Sequence, residues 1–172
     1  VDERSAAYFA TGLAYESGEP VVISCTGATA SRNYLPGLTE AYYRNLPVIA
    51  LTSQRQTSDY GNLVPQITDR TISQNDVKRV SVHLPIVRTE EDAERCEILV
   101  NKALIEATTR GSGPVHINLP VEKLSFTTEK LPEPRKIEYY YIELAREQIK
   151  SLQSELNGKK VAVLAIDPSS SS

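Results

Sequence analysis

Four short runs of β-branched and apolar residues, set between stretches of helical periodicity, restrict the fold of this chain more than any other feature. They are Val21-Val22-Ile23-Ser24-Cys25-Thr26, Val48-Ile49-Ala50-Leu51-Thr52, Val80-Ser81-Val82-His83-Leu84 and Val115-His116-Ile117-Asn118-Leu119. The first two are nearly continuous in apolar character, which predicts strands covered on both faces. Asp2 to Ser17 places Ala6, Ala7, Phe9, Ala10, Leu13 and Ala14 on a broad stripe, with Asp2 as N-cap and Gly18 as stop. Asn33 to Asn45 reads as a second helix, with Pro36 near its start, where a missing N–H costs little. Glu90 to Arg110 is the third. There Ala93, Cys96, Leu99, Val100, Ala103, Leu104 and Ala107 recur at three- and four-residue steps behind an acidic first turn. This alternation predicts an α/β domain, a doubly wound parallel sheet with helices on both faces. Ligands of such sheets sit beyond the carboxyl ends of the strands, so chemistry is expected after Thr26, Thr52 and Leu84.

The pattern changes from Glu122, where Pro132, Pro134 and mixed charges interrupt every period, so 122–142 reads as a linker. Glu143 to Leu156 is again helical, Gly158 stops it, and Val161 to Ile166 reads as a buried strand. Residues 143–172 are therefore expected to begin a second, middle domain that is cut short, and the serines 169–172 are low in complexity. The 172 residues contain no methionine, not even an initiator, so the chain reads as a fragment or as a sequence with methionines left out. In the latter case local spacings are short by one.

Composition narrows the function classes. With 19 Lys+Arg against 22 Asp+Glu, a formal charge of -3 and no basic cluster, nothing marks a nucleic-acid or anionic-membrane surface. No apolar run reaches the roughly 18 to 20 residues of a membrane span, and the first residues lack a signal peptide's apolar stretch, so a soluble, cytoplasmic protein is expected. Cys25 and Cys96 form no CxxC and only His83 and His116 accompany them, which argues against a metal site and for a reduced, buried cysteine pair.

Three places are candidates for chemistry. The turn Cys25-Thr26-Gly27-Ala28-Thr29-Ala30-Ser31-Arg32-Asn33 joins a strand to a helix and presents backbone N–H groups and small hydroxyls, or is only a tight connection. It is neither a P-loop nor a dinucleotide fingerprint. Glu3, taken alone, reads as a dipole-compensating residue of a first helical turn. The long connection after the second strand, with Ser53-Gln54-Arg55 and Gly61 to Arg70, is either a functional loop or a solvated one. His83 and His116 alternate with apolar residues and read as structural. A triad of Ser24, His116 and Asp69 can be written, but no G-x-S-x-G elbow supports it.

Taken in order, Asp2-Glu3-Arg4-Ser5-Ala6, the Gly12-Leu13-Ala14 step, Thr26-Gly27-Ala28-Thr29-Ala30, Asn33-Tyr34-Leu35-Pro36, Pro65-Gln66 and Gly113-Pro114-Val115-His116-Ile117-Asn118-Leu119-Pro120 resemble one family over about residues 1–121. The resemblance is to the pyrimidine-binding (Pyr) domain of thiamine diphosphate-dependent enzymes, the acetolactate synthase and decarboxylase group. Within that group the pattern is most similar to the menaquinone-pathway synthase type. The resemblance implies a thiamine diphosphate-dependent carboligase or decarboxylase acting on a 2-oxo acid. It implies that Glu3 hydrogen-bonds N1′ of the aminopyrimidine and drives the imino tautomer that activates the thiazolium carbon. By the same likeness Thr26 and Gly27 line the pyrimidine pocket and Gln66 lies near the reacting carbon. Arg55 falls at a substrate-carboxylate arginine, with Arg32 and Arg70 as alternatives. The family domain has a strand and a helix ahead of the Glu, and only Val1 and Asp2 precede it here. The resemblance further implies that Mg2+ and the diphosphate are held by a diphosphate-binding domain absent from this chain and contributed by another subunit of a homodimer or tetramer. The chain alone is therefore expected to be inactive. The rival readings are a non-catalytic Pyr-like assembly or regulatory domain and one subunit of a split enzyme. The presence of Glu3 and Gln66 argues against the first, and the start of a middle domain argues against the second. Tyr42, Tyr43 and Tyr60 are candidates for an interface.

Overall fold

The structure is a computed structural model that describes residues 2–55, 59–69, 74–121, 133–137 and 146–159. The chain divides into two compact units, Val1–Ile137 and Glu138–Ser172. In the first, α1 (Glu3–Ser17) leads to β1 (Val21–Cys25), then α2 (Thr29–Asn33), α3 (Leu35–Tyr43), β2 (Val48–Gln54), β3 (Val80–His83), α4 (Glu90–Thr108) and β4 (Val115–Pro120). All strand pairs are parallel and the sheet order is β1-β2-β4-β3. The connection from β2 crosses over β4 to reach the far edge, as the predicted doubly wound α/β sheet requires.

Period-two alternation sorts the strand residues into two layers. Ile23, Val48 and Ala50 meet Ala7, Ala10 and Ala14 of α1 and Leu38 and Ala41 of α3. Ile49, Val82, Val115 and Ile117 meet Ala103 and Ala107 of α4. The helix boundaries follow capping chemistry. Asp2 accepts the Ser5 N–H at 3.0 Å and Gly18 closes α1 in the left-handed conformation. Thr89 and Asp92 form a reciprocal capping box at the start of α4. The backbone N–H groups of Ser5 and of Arg88 hold the Asp2 and Asp92 carboxyls, respectively, below the usual carboxylate range.

Four expectations are corrected. The helix predicted over Asn33 to Asn45 is two helices, because Tyr34 links a short α2 to α3. On α1 Ala7, Ala10, Thr11 and Ala14 are buried and Ala6 half-buried, while Phe9 is 75% exposed and Leu13 47%. Close packing decides this: a Cβ at Gly37 of α3 would lie 2.5 Å from the Ala7 Cβ, so α1 and α3 approach too closely for a bulky residue between them. β1 is an edge strand with Val22 55% exposed, since α4 packs on β3 and β4 and leaves that side of β1 bare among the described residues. Cys25 and Cys96 form no disulfide, as expected, but each is only half-buried.

Of the expected linker, residues 133–137 are described, and they lie along α4. Asn101 bonds the Arg135 carbonyl at 2.9 Å and the Ile137 N–H at 2.9 Å, and Arg135 pairs with Glu97 and Glu94. In the second unit α5 (Arg146–Leu156) corresponds to the helix predicted from Glu143, and Gly158 follows it with φ 81°. The rest of the linker, the predicted strand Val161 to Ile166 and the terminal serines lie outside the described residues. No described helix is long and apolar enough to cross a membrane.

Candidate active site

α2 gathers the expected site residues. Its Asn33 donates from Nδ2 to Glu3 Oε2 at 3.1 Å, its Thr29 hydroxyl bonds Gln66 Oε1 at 3.4 Å, and its Arg32 reaches the Asp69 carbonyl at 3.2 Å. Glu3, the first residue of α1, is thus brought against the end of the short helix that follows the β1 turn, and the loop after β2 is tied to the start of the same helix. The turn itself is strained. Ala28 has φ 56° and ψ -127° and is buried, a conformation that costs a non-glycine residue about 1–3 kcal/mol and that collects at functional sites. Thr26 is exposed and Gly27 half-buried at its mouth.

Arg55 directly follows β2 and is exposed, and no hydrogen bond or ion pair among the described residues joins it to this cluster. Arg32 is joined to it, through the Asp69 carbonyl. Arg70 lies outside the described residues. Of the three tyrosines, Tyr43 is exposed, with its hydroxyl on Asp76 at 3.1 Å, whereas Tyr42 and Tyr60 are half-buried. The Ser24, His116, Asp69 triad is excluded by register: Ile23 and Cys25 face the α1 layer with His116, so Ser24 points to the opposite side of the sheet.

Sequence reasoning missed the floor of the site. Thr52, His116, Asn118, Ser81 and His83 stand on the α1 face at the carboxyl ends of β2, β4 and β3 and bond one another. The only available signal was polar residues on alternate positions of three separate strands, which is meaningful once the parallel register is known. Cys25 completes the row, in register with Thr52. The Tyr34 hydroxyl is raised well above its usual value by burial first and then by the Cys25 thiol it bonds. Beside this floor a cavity of about 40 Å³ is lined by Thr52, His116, Tyr34, Arg32 and Lys78 among others. It has room for water rather than for a substrate.

Comparison with known proteins decides the family. Residues 1–80 match the family described as thiamine pyrophosphate enzyme, N-terminal TPP binding domain. The first unit carries the N-terminal, Pyr-type domain of the thiamine diphosphate enzymes. The chain is 44% identical over 142 residues to a 2-succinyl-5-enolpyruvyl-6-hydroxy-3-cyclohexene-1-carboxylate synthase of Bacteroides thetaiotaomicron, covering 81% of this chain and 25% of that protein. A synthase of the same name from Phocaeicola vulgatus is 39% identical over 141 residues, again 81% and 25% of the two chains. One from Geobacillus kaustophilus is 37% identical over 123 residues, 70% of this chain and 21% of the relative. The chain spans about a quarter of the length of the first two relatives.

The residues of this Pyr-type domain fit the aminopyrimidine end of thiamine diphosphate by the chemistry of their donors. Glu3 is half-buried, and Asn33 engages one carboxylate oxygen, which leaves Oε1 to share a proton with a ring nitrogen. No group of three His, Cys, Asp or Glu suited to a metal ion occurs among the described residues, so nothing in them speaks for Mg2+.

Proposed function

We propose that this chain supplies the aminopyrimidine side of a thiamine diphosphate site in a synthase or decarboxylase acting on a 2-oxo acid. The observation that carries the reading is the Glu3 carboxylate, held by Asn33 at the carboxyl end of a doubly wound parallel sheet. When bound, thiamine diphosphate supplies a thiazolium carbon that adds to the 2-oxo carbonyl and an electron sink for the pair left behind. Glu3 would hold and exchange a proton at Oε1, with Asn33 restraining the carboxylate through its bond to Oε2. Thr26 and Gly27 line the pyrimidine. Gln66, tethered through Thr29, would serve near the reacting carbon, and the substrate carboxylate would be bound by Arg55 or by Arg32, which is tied to the same cluster through the Asp69 carbonyl.

The diphosphate and Mg2+ belong to a domain of another subunit, in a homodimer or tetramer. In support, Tyr8, Phe9, Leu13 and Tyr15 of α1 are exposed around a hollow of about 510 Å³ that Glu16, Glu40 and Arg44 also line. The names of the relatives support a synthase of the menaquinone type over a decarboxylase. The test is a polypeptide that carries this segment and extends to the length of those relatives. Turnover of a 2-oxo acid is expected to fall by about 10²-fold or more in Glu3→Gln, with an unchanged melting temperature. Unchanged turnover contradicts the proposal.

A further inference from the structure

At the amino ends of the strands, opposite the candidate site, the turn from α4 into β4 aims several carbonyls at one point. Arg110, Gly111 and Ser112 take φ 49°, 94° and 58°, left-handed values that Arg110 and Ser112, which carry a Cβ, do not adopt unaided. As a result the carbonyl oxygens of Thr109, Arg110 and Ser112 stand 3.0, 3.0 and 2.8 Å from a single atom, Nη1 of Arg79. Two N–H protons serve three oxygens there, so at least one is shared. The Glu106 carboxylate faces Nη2 of the same guanidinium at 3.5 Å.

The ring of carbonyls calls for a cation. α4 has 19 residues and none of them in its last turn is basic, so the helix itself places no positive charge at the negative end of its dipole. Three carbonyl dipoles aimed at one point repel one another unless a positive charge lies among them, which is how carbonyl rings hold ions. Arg79 supplies that charge from the residue before β3. Its stem has room because residue 113 is glycine: a Cβ there would lie 2.6 Å from Arg79 Cδ and 3.0 Å from Cγ. The backbone of Arg79 is engaged at the same place, its N–H donating to the Pro114 carbonyl at 2.8 Å, directly before Val80 pairs with Val115.

We propose that the α4–β4 turn is a binding site for a guanidinium cation, and that the Arg79 side chain occupies it as a tethered ligand. The site reads shape as well as charge. One nitrogen lies among carbonyls while a second meets a carboxylate, an arrangement that suits a planar fork and not a single-centred ammonium. The cation ties the end of α4, the turn and the start of β3 to one another. β3 has four residues and one partner strand among the described residues, so holding its first residue against Pro114 and Val115 sets the depth at which Ser81 and His83 stand in the sheet.

The test empties the site and refills it. Arg79→Ala is expected to melt roughly 5 °C or more below the wild-type chain. Methylguanidinium at millimolar concentration is expected to raise the melting temperature of that variant while leaving the wild type unmoved or slightly lower, and methylammonium is expected to recover less. The inference is overturned if Arg79→Ala melts with the wild type, if methylguanidinium fails to raise it, or if methylammonium raises it as much. Should Arg79→Ala not fold, arginine side-chain ¹H–¹⁵N NMR of the wild-type chain decides. There Arg79, assigned by the signals lost in Arg79→Lys, is expected to show separate Nη1 and Nη2 resonances because the ring stops rotation of the guanidinium. A single averaged resonance overturns the inference. Neither readout involves a cofactor or turnover, so the outcome is independent of the proposed function.

Discussion

The two faces of the sheet are built from alternate residues of the same strands, yet they divide the work between them. On the α4 face Ile49, Val82, Val115 and Ile117 stay apolar to the ends of the strands. On the α1 face Ile23, Val48 and Ala50 are apolar lower down, and the next positions turn polar as Cys25, Thr52, Asn118 and His83. One face is committed to packing throughout. The other stops being core where it reaches the carboxyl ends, and that is where Glu3, the strained Ala28 turn and the Gln66 loop converge. A parallel strand register lets one short sequence serve both ends, because a residue's parity selects its layer and its position along the strand selects its depth.

The largest effect is expected on the packing face. Ile117→Ala should cost about 2–5 kcal/mol in urea unfolding, since it opens a cavity beneath α4, without moving the groups around Glu3. Gly37→Ala probes the α1 face at its tightest point. Its new Cβ meets Ala7, so a loss of about 1–3 kcal/mol is expected together with displacement of α1 and of Glu3 with it. Thr52→Val keeps the volume and removes only the hydroxyl, leaving Asn118 and His116 each short of a partner. A cost of about 1–3 kcal/mol is expected, and a neutral result would show that the polar row is not internally satisfied. Ala28→Gly should move the other way, with a gain of about 1 kcal/mol in the same assay as the positive-φ strain is relieved.

The smallest effect belongs to the helix caps. The folded-state carboxyls of Asp2 and Asp92 titrate below their ordinary value of 3.8, so their contribution is complete above that value and is lost as pH falls from there through the lowered folded values. Far-ultraviolet circular dichroism of an acid titration should show Asp92→Asn less helical than the wild type at neutral pH and equal to it at the acid end.

Much of this was legible in the residues. The strands, the Asp2 and Gly18 boundaries of α1 and the α/β class follow from periodicity and capping alone. Glu3 was visible as a candidate only through an ordered set of motifs, because an acidic residue in a first helical turn is otherwise ordinary. Two features were hidden for physical reasons. The outward turn of Phe9 depends on the absence of a side chain at Gly37, which packs on Ala7, 30 residues away in the chain. The Ser81 to His83 line depends on which strands are neighbours: β4 inserts between β2 and β3, and no local spacing announces that order.

The central claim is that Glu3 is the proton partner of the bound cofactor's pyrimidine ring. Proton–deuterium exchange at the thiazolium C2 of bound thiamine diphosphate, measured in the full-length polypeptide with Glu3 and with Glu3→Gln, tests it most directly. Exchange slowed by about 10²-fold or more in the variant, at saturating cofactor, is the predicted result. Equal exchange rates in the two proteins would contradict it.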